Sequence, residues 1–120
     1  MHPGPERYAD RFDLRTYTDD EPVGVFQRPD DQDAVWLPER LFHRLVAVGS
    51  GYDLHLLPLL GGPEPVVLNR QQIQNLRDEL ALVRAVLAVD PLVTANVTEL
   101  DDYLLGTLGR PDATVTVEGN

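Results

Sequence analysis

The stretch NRQQIQNLRDELALVRAVLAVDPLVTANVTELDDYLLGTLG, Asn69 to Gly109, decides the fold. Asn69 is a preferred N-cap, and Gln72 three residues on completes a capping-box pattern in which each side chain satisfies the other's backbone N–H. Leu68 before the cap and Ile73 after it are placed as a hydrophobic staple. Ile73, Leu76, Leu80, Val83 and Leu87 then alternate spacings of three and four, the apolar stripe of an amphipathic helix. Asp90-Pro91 closes this helix and opens a second, because aspartate caps and proline has no N–H to lose at the first helical position. Val93, Val97, Leu100 and Leu104 continue an apolar face, and Gly109 is a stop. Thr98 with Asp101 forms a further capping pattern, so two short helices are the alternative to one long one.

The rest of the chain must cover this helical hairpin. Residues 1–10, rich in proline, glycine and charge, read as a flexible N-terminus, leaving a single domain over 11–120. Phe12, Leu14 and Thr16 alternate with Asp13, Arg15 and Tyr17, the period of a half-buried strand. Val23 to Gln27 offers a second short strand, and the two are expected to pair as a hairpin across Thr18 to Pro22. Arg28 to Asp33 reads as a loop, Ala34 to Leu37 as a short strand, and Pro38 to Val48 as a short helix stopped by Gly49 and Gly51. A buried strand over Leu45 to Val48 is the competing reading. Tyr52, Leu54 and Leu56 alternate again and predict a strand ended by Pro58. Gly61 to Pro65 is a connector, and Val66 to Leu68 a brief extended lead into the hairpin. Ala113 to Glu118 alternates strictly, with Val115 and Val117 inward, as a terminal strand. The expected fold is α+β: a small, mostly antiparallel sheet packed on a C-terminal helical hairpin.

Composition narrows the function classes. With 120 residues, 42% apolar and 25% charged, the chain is an ordinary globular domain large enough for a real core. Cysteine is absent, so disulfides, thiolate catalysis and cysteine-based zinc sites are excluded. All ten basic residues are arginine, which removes Schiff-base lysines and the phosphate-loop lysine. A net charge of −10 opposes binding to a phosphate backbone, so no nucleic-acid partner is expected. The longest apolar run, Ala85 to Val89, is far below the roughly 20 residues a membrane span needs. Without a secretory pattern at the N-terminus, the expected location is cytoplasmic.

The run Val66, Leu68, Arg70, Gln72, Leu76, Glu79 and Leu80, followed by a second helix and a strand ending Glu118-Gly119-Asn120, resembles a pattern among small uncharacterised proteins of GC-rich bacteria. The resemblance spans the C-terminal half and implies no activity or site residue.

No motif demands a particular chemistry. Asp53 and His55 would share one face of a strand, with His43 approaching from a helix, but such residues more often sit in solvent than on a metal. Ser50 between Gly49 and Gly51 falls short of the longer nucleophile-elbow pattern. No cofactor or metal is expected. The constellation that stands out lies between Tyr17 and Trp36: Asp19, Asp20, Glu21, Asp30, Asp31 and Asp33 interleaved with Phe26 and the sole tryptophan, Trp36. Acids steer a basic partner and aromatics anchor it. The competing account places both aromatics in the core and leaves the acids as solubilising charge. The expected function is a non-catalytic protein-binding module, of the immunity or antitoxin type, occupying a basic surface. A homodimer follows if the strands leave part of the helical stripe uncovered. The alternative is a small-molecule-binding protein or enzyme, with a pocket between sheet and hairpin lined by Trp36, His43, Tyr52 and His55.

Overall fold

The computed structural model describes residues 22–28 and 31–119. Along the chain run β1 (Pro22–Phe26), β2 (Val35–Pro38), α1 (Glu39–Gly51), α2 (Leu56–Leu60), β3 (Val66–Leu68), α3 (Arg70–Val86), α4 (Pro91–Leu108) and β4 (Val115–Glu118). The strands form one antiparallel sheet in the order β2-β1-β4-β3. Helices α1, α3 and α4 pack on one face of it. Among the described residues no helix is long and apolar enough to cross a membrane.

The helical hairpin forms as its sequence markers dictate. The Asn69 side chain accepts from the Gln72 N–H at 2.9 Å, and the Gln72 side chain accepts from the Asn69 N–H at 2.9 Å. Asp90 caps α4 by accepting from the N–H groups of Leu92 and Val93. Ile73, Leu76, Leu80 and Val83 meet Val93, Val97, Leu100 and Leu104 in the core, all of them buried. Each such side chain contributes about 1.5–3 kcal/mol. Helix α4 is continuous, since Asp101 and Thr98 are drawn across to α3. Arg77 grips Asp101 with two hydrogen bonds, at 2.7 and 3.2 Å, and Arg84 donates to the Thr98 hydroxyl. At the far end the Arg70 guanidinium donates to the carbonyls of Leu108 and Arg110, both at 2.6 Å, closing the C-terminus of α4. Ile73 to Val83 and Val93 to Leu104 of the stripe are covered within one chain, whereas Leu87 is only partly buried and Leu105 is exposed.

Two expectations are corrected. The Phe12–Tyr17 strand, and with it the expected hairpin to Val23–Gln27, lies outside the described residues; β1 itself pairs with β2 and β4. Helix α1 runs to Gly51, past the expected end at Val48. Gly49 does not stop it; a Cβ there would lie 2.7 Å from Leu57 Cβ, so glycine is what lets α2 pack against α1.

The second correction concerns Tyr52–Leu57, which is not a strand. Asp53 turns the chain with φ of 56°, and Leu56–Leu60 is a short helix. Its N-terminal N–H groups are satisfied by a side chain from another helix. The buried Glu79 carboxylate of α3 accepts from the N–H groups of His55, Leu56 and Leu57, at 2.9 Å for the closest approaches to Leu56 and Leu57. Pro58 sits in the first turn, where its missing N–H costs nothing. Replacing Glu79 by alanine leaves these amides without an acceptor and is expected to lower unfolding free energy by about 3 kcal/mol. Glu79→Gln, which keeps one acceptor oxygen, should lose less. Urea unfolding measures both, and a Glu79→Ala loss below ~0.5 kcal/mol would show that α2 does not depend on this carboxylate.

Candidate functional site

The helices lie on the sheet face formed by Val23, Val25, Val35, Leu37, Val115 and Val117. Strand alternation sends the intervening residues to the opposite, outer face. There the register places Gly24 of β1 between Trp36 of β2 and Glu118 of β4. In the next row Phe26 is paired with Thr116, and Thr116 with Val67.

Gly24 shapes this face. A Cβ at that position would lie 2.7 Å from Cζ3 of the Trp36 indole, with two more ring carbons within 3.2 Å. The indole therefore rests on the backbone of the central strand, an approach that glycine permits. Phe26 supports it from the side, with ring centroids 6.5 Å apart and planes inclined at 33°. Phe26 is buried, yet Trp36 keeps 53% of its surface exposed. On the other side of Gly24, Glu118 is exposed, and its carboxylate has no partner among the described residues. Val67, also exposed, completes the apolar part of the face.

The chain that joins β1 to β2 is tied to α4. The Tyr103 hydroxyl accepts from the Gln27 N–H at 2.8 Å and donates to Asp31 Oδ2 at 2.5 Å. Asp31 Oδ1 accepts from the Asp33 N–H. The Gln27 side chain donates to the Thr107 hydroxyl and accepts from Arg110. Burial, and then its hydrogen bond to Asp31, push the Tyr103 phenol up to about 12. The Tyr103 hydroxyl, followed by the Asp33 N–H, holds the Asp31 carboxyl below its ordinary value.

The expected interaction residues divide accordingly. Phe26 and Trp36 come together on the outer face, Trp36 exposed and Phe26 beneath its edge. Asp33 is exposed on the β1–β2 connection, while Asp31 is half-buried and committed to Tyr103. Asp19, Asp20, Glu21 and Asp30 lie outside the described residues. Glu118 went unrecognised as a site residue in the sequence, although the strict alternation of β4 already assigned it to the solvent side. Gly24 carried a signal as well: a glycine flanked by valines within a strand marks the close approach of another group.

The alternative pocket does not assemble. Trp36 lies across the sheet from the helices, Tyr52 is exposed at the end of α1, and His55 is exposed where α2 begins. His43 alone of the four lines a cavity of about 380 Å³, beside Glu39, Phe42, Leu60, Gly61 and Gly62. The cavity opens at one end of the sheet and not between sheet and hairpin. Among the described residues no three histidine, aspartate or glutamate side chains gather as a metal site would require.

Because the folded pKa of Tyr103 is raised, its contribution to stability is fully present below the ordinary tyrosine value near 10 and is lost as pH climbs through about 12. Asp31 acts at the other end: its lowered pKa gives stability above the ordinary carboxylate range that fades as pH falls through the lowered value. Tyr103→Phe is expected to cost about 1–2 kcal/mol at neutral pH, and to flatten the alkaline limb of stability against pH. Chemical denaturation across the pH range checks both; an alkaline limb unchanged in the variant would assign that titration elsewhere.

Comparison of the chain with protein-family models, with curated proteins and with solved structures found no match in any of the three.

Proposed function

We propose that this protein is a non-catalytic protein-binding module which presents the outer face of its sheet to a partner with a basic surface, in the manner of an immunity or antitoxin-type inhibitor. One observation carries the reading: the sole tryptophan is held half-exposed, seated on Gly24, on the sheet face turned away from the helices. A large aromatic with one face packed and the other in water is suited to anchoring a partner, because its position is set before binding and little side-chain entropy remains to be lost. Charge supports the same partner class. The chain carries −10, with Glu118 across Gly24 from Trp36 on the same face and Asp33 on the β1–β2 connection. Such a field speeds encounter with a basic surface and repels acidic ones.

The helical hairpin lies on the opposite face of the sheet from this contact, with Ile73, Leu76, Leu80 and Val83 buried within the chain. The reading therefore requires no second copy, and an aromatic-centred contact on one sheet face suffices.

Capture experiments from native host extract test the proposal when wild type is compared with Trp36→Ala at two salt concentrations. The expected result is a basic protein retained by wild type at low salt, lost on raising salt, and held at least about tenfold more weakly by the variant. A partner retained equally by both proteins at both salt concentrations would overturn it. So would thermal stabilisation of the wild type by a metabolite with no protein captured.

A further inference from the structure

The row formed by Trp36, Gly24 and Glu118 has a chemistry more specific than an apolar anchor. We infer that it is a recognition site for an arginine side chain of the partner, with the guanidinium stacked on the Trp36 indole and paired to the Glu118 carboxylate. The inference rests on the protein-binding reading and names the group that the same face receives.

Three observations carry it. First, the register sets Trp36, Gly24 and Glu118 side by side on consecutive strands. Two strand spacings separate the outer pair, roughly 10 Å between their backbones. Second, the middle member has no side chain, and the indole lies over it, with ring atoms 2.7–3.2 Å from where a Cβ would stand. The ring is thus displaced from its own strand toward the strand that bears the carboxylate. Third, the outward part of the indole is open to solvent, while Glu118 is exposed and unpartnered among the described residues.

An aromatic face beside a free carboxylate selects a planar cation. The negative face of the indole attracts a guanidinium laid parallel to it, and the edge of that cation carries N–H donors that match two carboxylate oxygens. Lysine offers a point charge on a flexible stem and can serve the carboxylate or the ring, but it lacks the planar fork that serves both at once. The pre-seated indole, braced by Phe26 at 6.5 Å, reduces the ordering cost of binding.

Because Trp36 is the sole tryptophan, its fluorescence reports on this site alone. The probes are a short glycine-spaced peptide with two arginines, its lysine counterpart and its citrulline counterpart, which keeps the planar shape without the charge. The arginine peptide is expected to change Trp36 emission saturably and the citrulline peptide to leave it unchanged. The lysine peptide should bind several-fold more weakly. Glu118→Gln should weaken the arginine peptide about tenfold. Gly24→Ala should dislodge the indole, shift its emission before any peptide is added, and abolish the preference for arginine over lysine. Far-ultraviolet circular dichroism identifies a variant that has not folded. Glu118→Gln, at an exposed position, keeps the test valid should Gly24→Ala disturb the sheet. Equal binding of arginine and citrulline peptides, or no loss in Glu118→Gln, would overturn the inference. If peptides leave Trp36 unmoved while capture of the natural partner still depends on Trp36 and on low salt, the arginine assignment fails and the protein-binding reading stands. If capture is indifferent to Trp36, both fail.

Discussion

The Glu79 carboxylate ties together two parts of the molecule that otherwise meet through apolar packing and a longer Arg44–Asp90 contact. It projects from α3 into the core side of the hairpin and takes the N-terminal amides of α2, so that α1 and α2 are anchored to the C-terminal helices. A buried acid without donors would cost several kcal/mol; here the donors are backbone N–H groups that would themselves be unsatisfied without it. Each need answers the other. The same principle recurs at the other helix ends: Arg70 takes the last carbonyls of α4, and Asp90 takes its first N–H groups while standing 3.8 Å from Arg44 of α1. Polar groups placed at helix termini thus set how the helices are arranged, while the apolar stripe supplies most of the free energy.

With the helices locked to one face, the other face of the sheet is left to its own side chains. What they present follows from strand order. The C-terminal β4 inserts between β1 and β3, which brings Glu118 next to Gly24, and β2 lies on the far side of β1, which brings in Trp36. Trp36 lies on the next strand of the chain, whereas Glu118 is far from Gly24 in sequence. A glycine with partners of this kind on both sides lets an aromatic ring lie down across the sheet instead of standing up from it. The ring then keeps its outer face in solvent, the face through which aromatic rings attract cations. Fold and interaction chemistry meet at that one missing side chain.

The legible elements were those whose information is local. Asn69 with Gln72, Asp90 with Pro91 and the three-four spacing of the leucines and valines set the helical hairpin almost to the residue. Val115 and Val117 announced the terminal strand by alternation alone. The failures came where distant residues decide. Tyr52 to Leu57 alternates like a strand, but the segment folds as turn and helix because a carboxylate more than twenty residues downstream satisfies its amides. The partners of Val23–Phe26, β2 and β4, come from later in the chain, and local alternation does not name them. Gly49 read as a helix stop, whereas its use is to admit Leu57.

The candidate site divides the same way. Trp36 and Phe26 were identifiable from composition as aromatics amid acids, and they do adjoin one another. Glu118 could not be joined to them beforehand, and nothing local separated Asp31, which Tyr103 claims, from Asp33, which remains exposed. The sequence by itself determined the helical hairpin, the strand character of both flanking segments and the net acidity, because capping, periodicity and charge act over a few residues or over the whole chain. Only the tertiary structure decided which strands are neighbours, which acids are free and where the indole lies, because those depend on pairings between residues far apart in the chain, and such pairings are set by the packing of the whole.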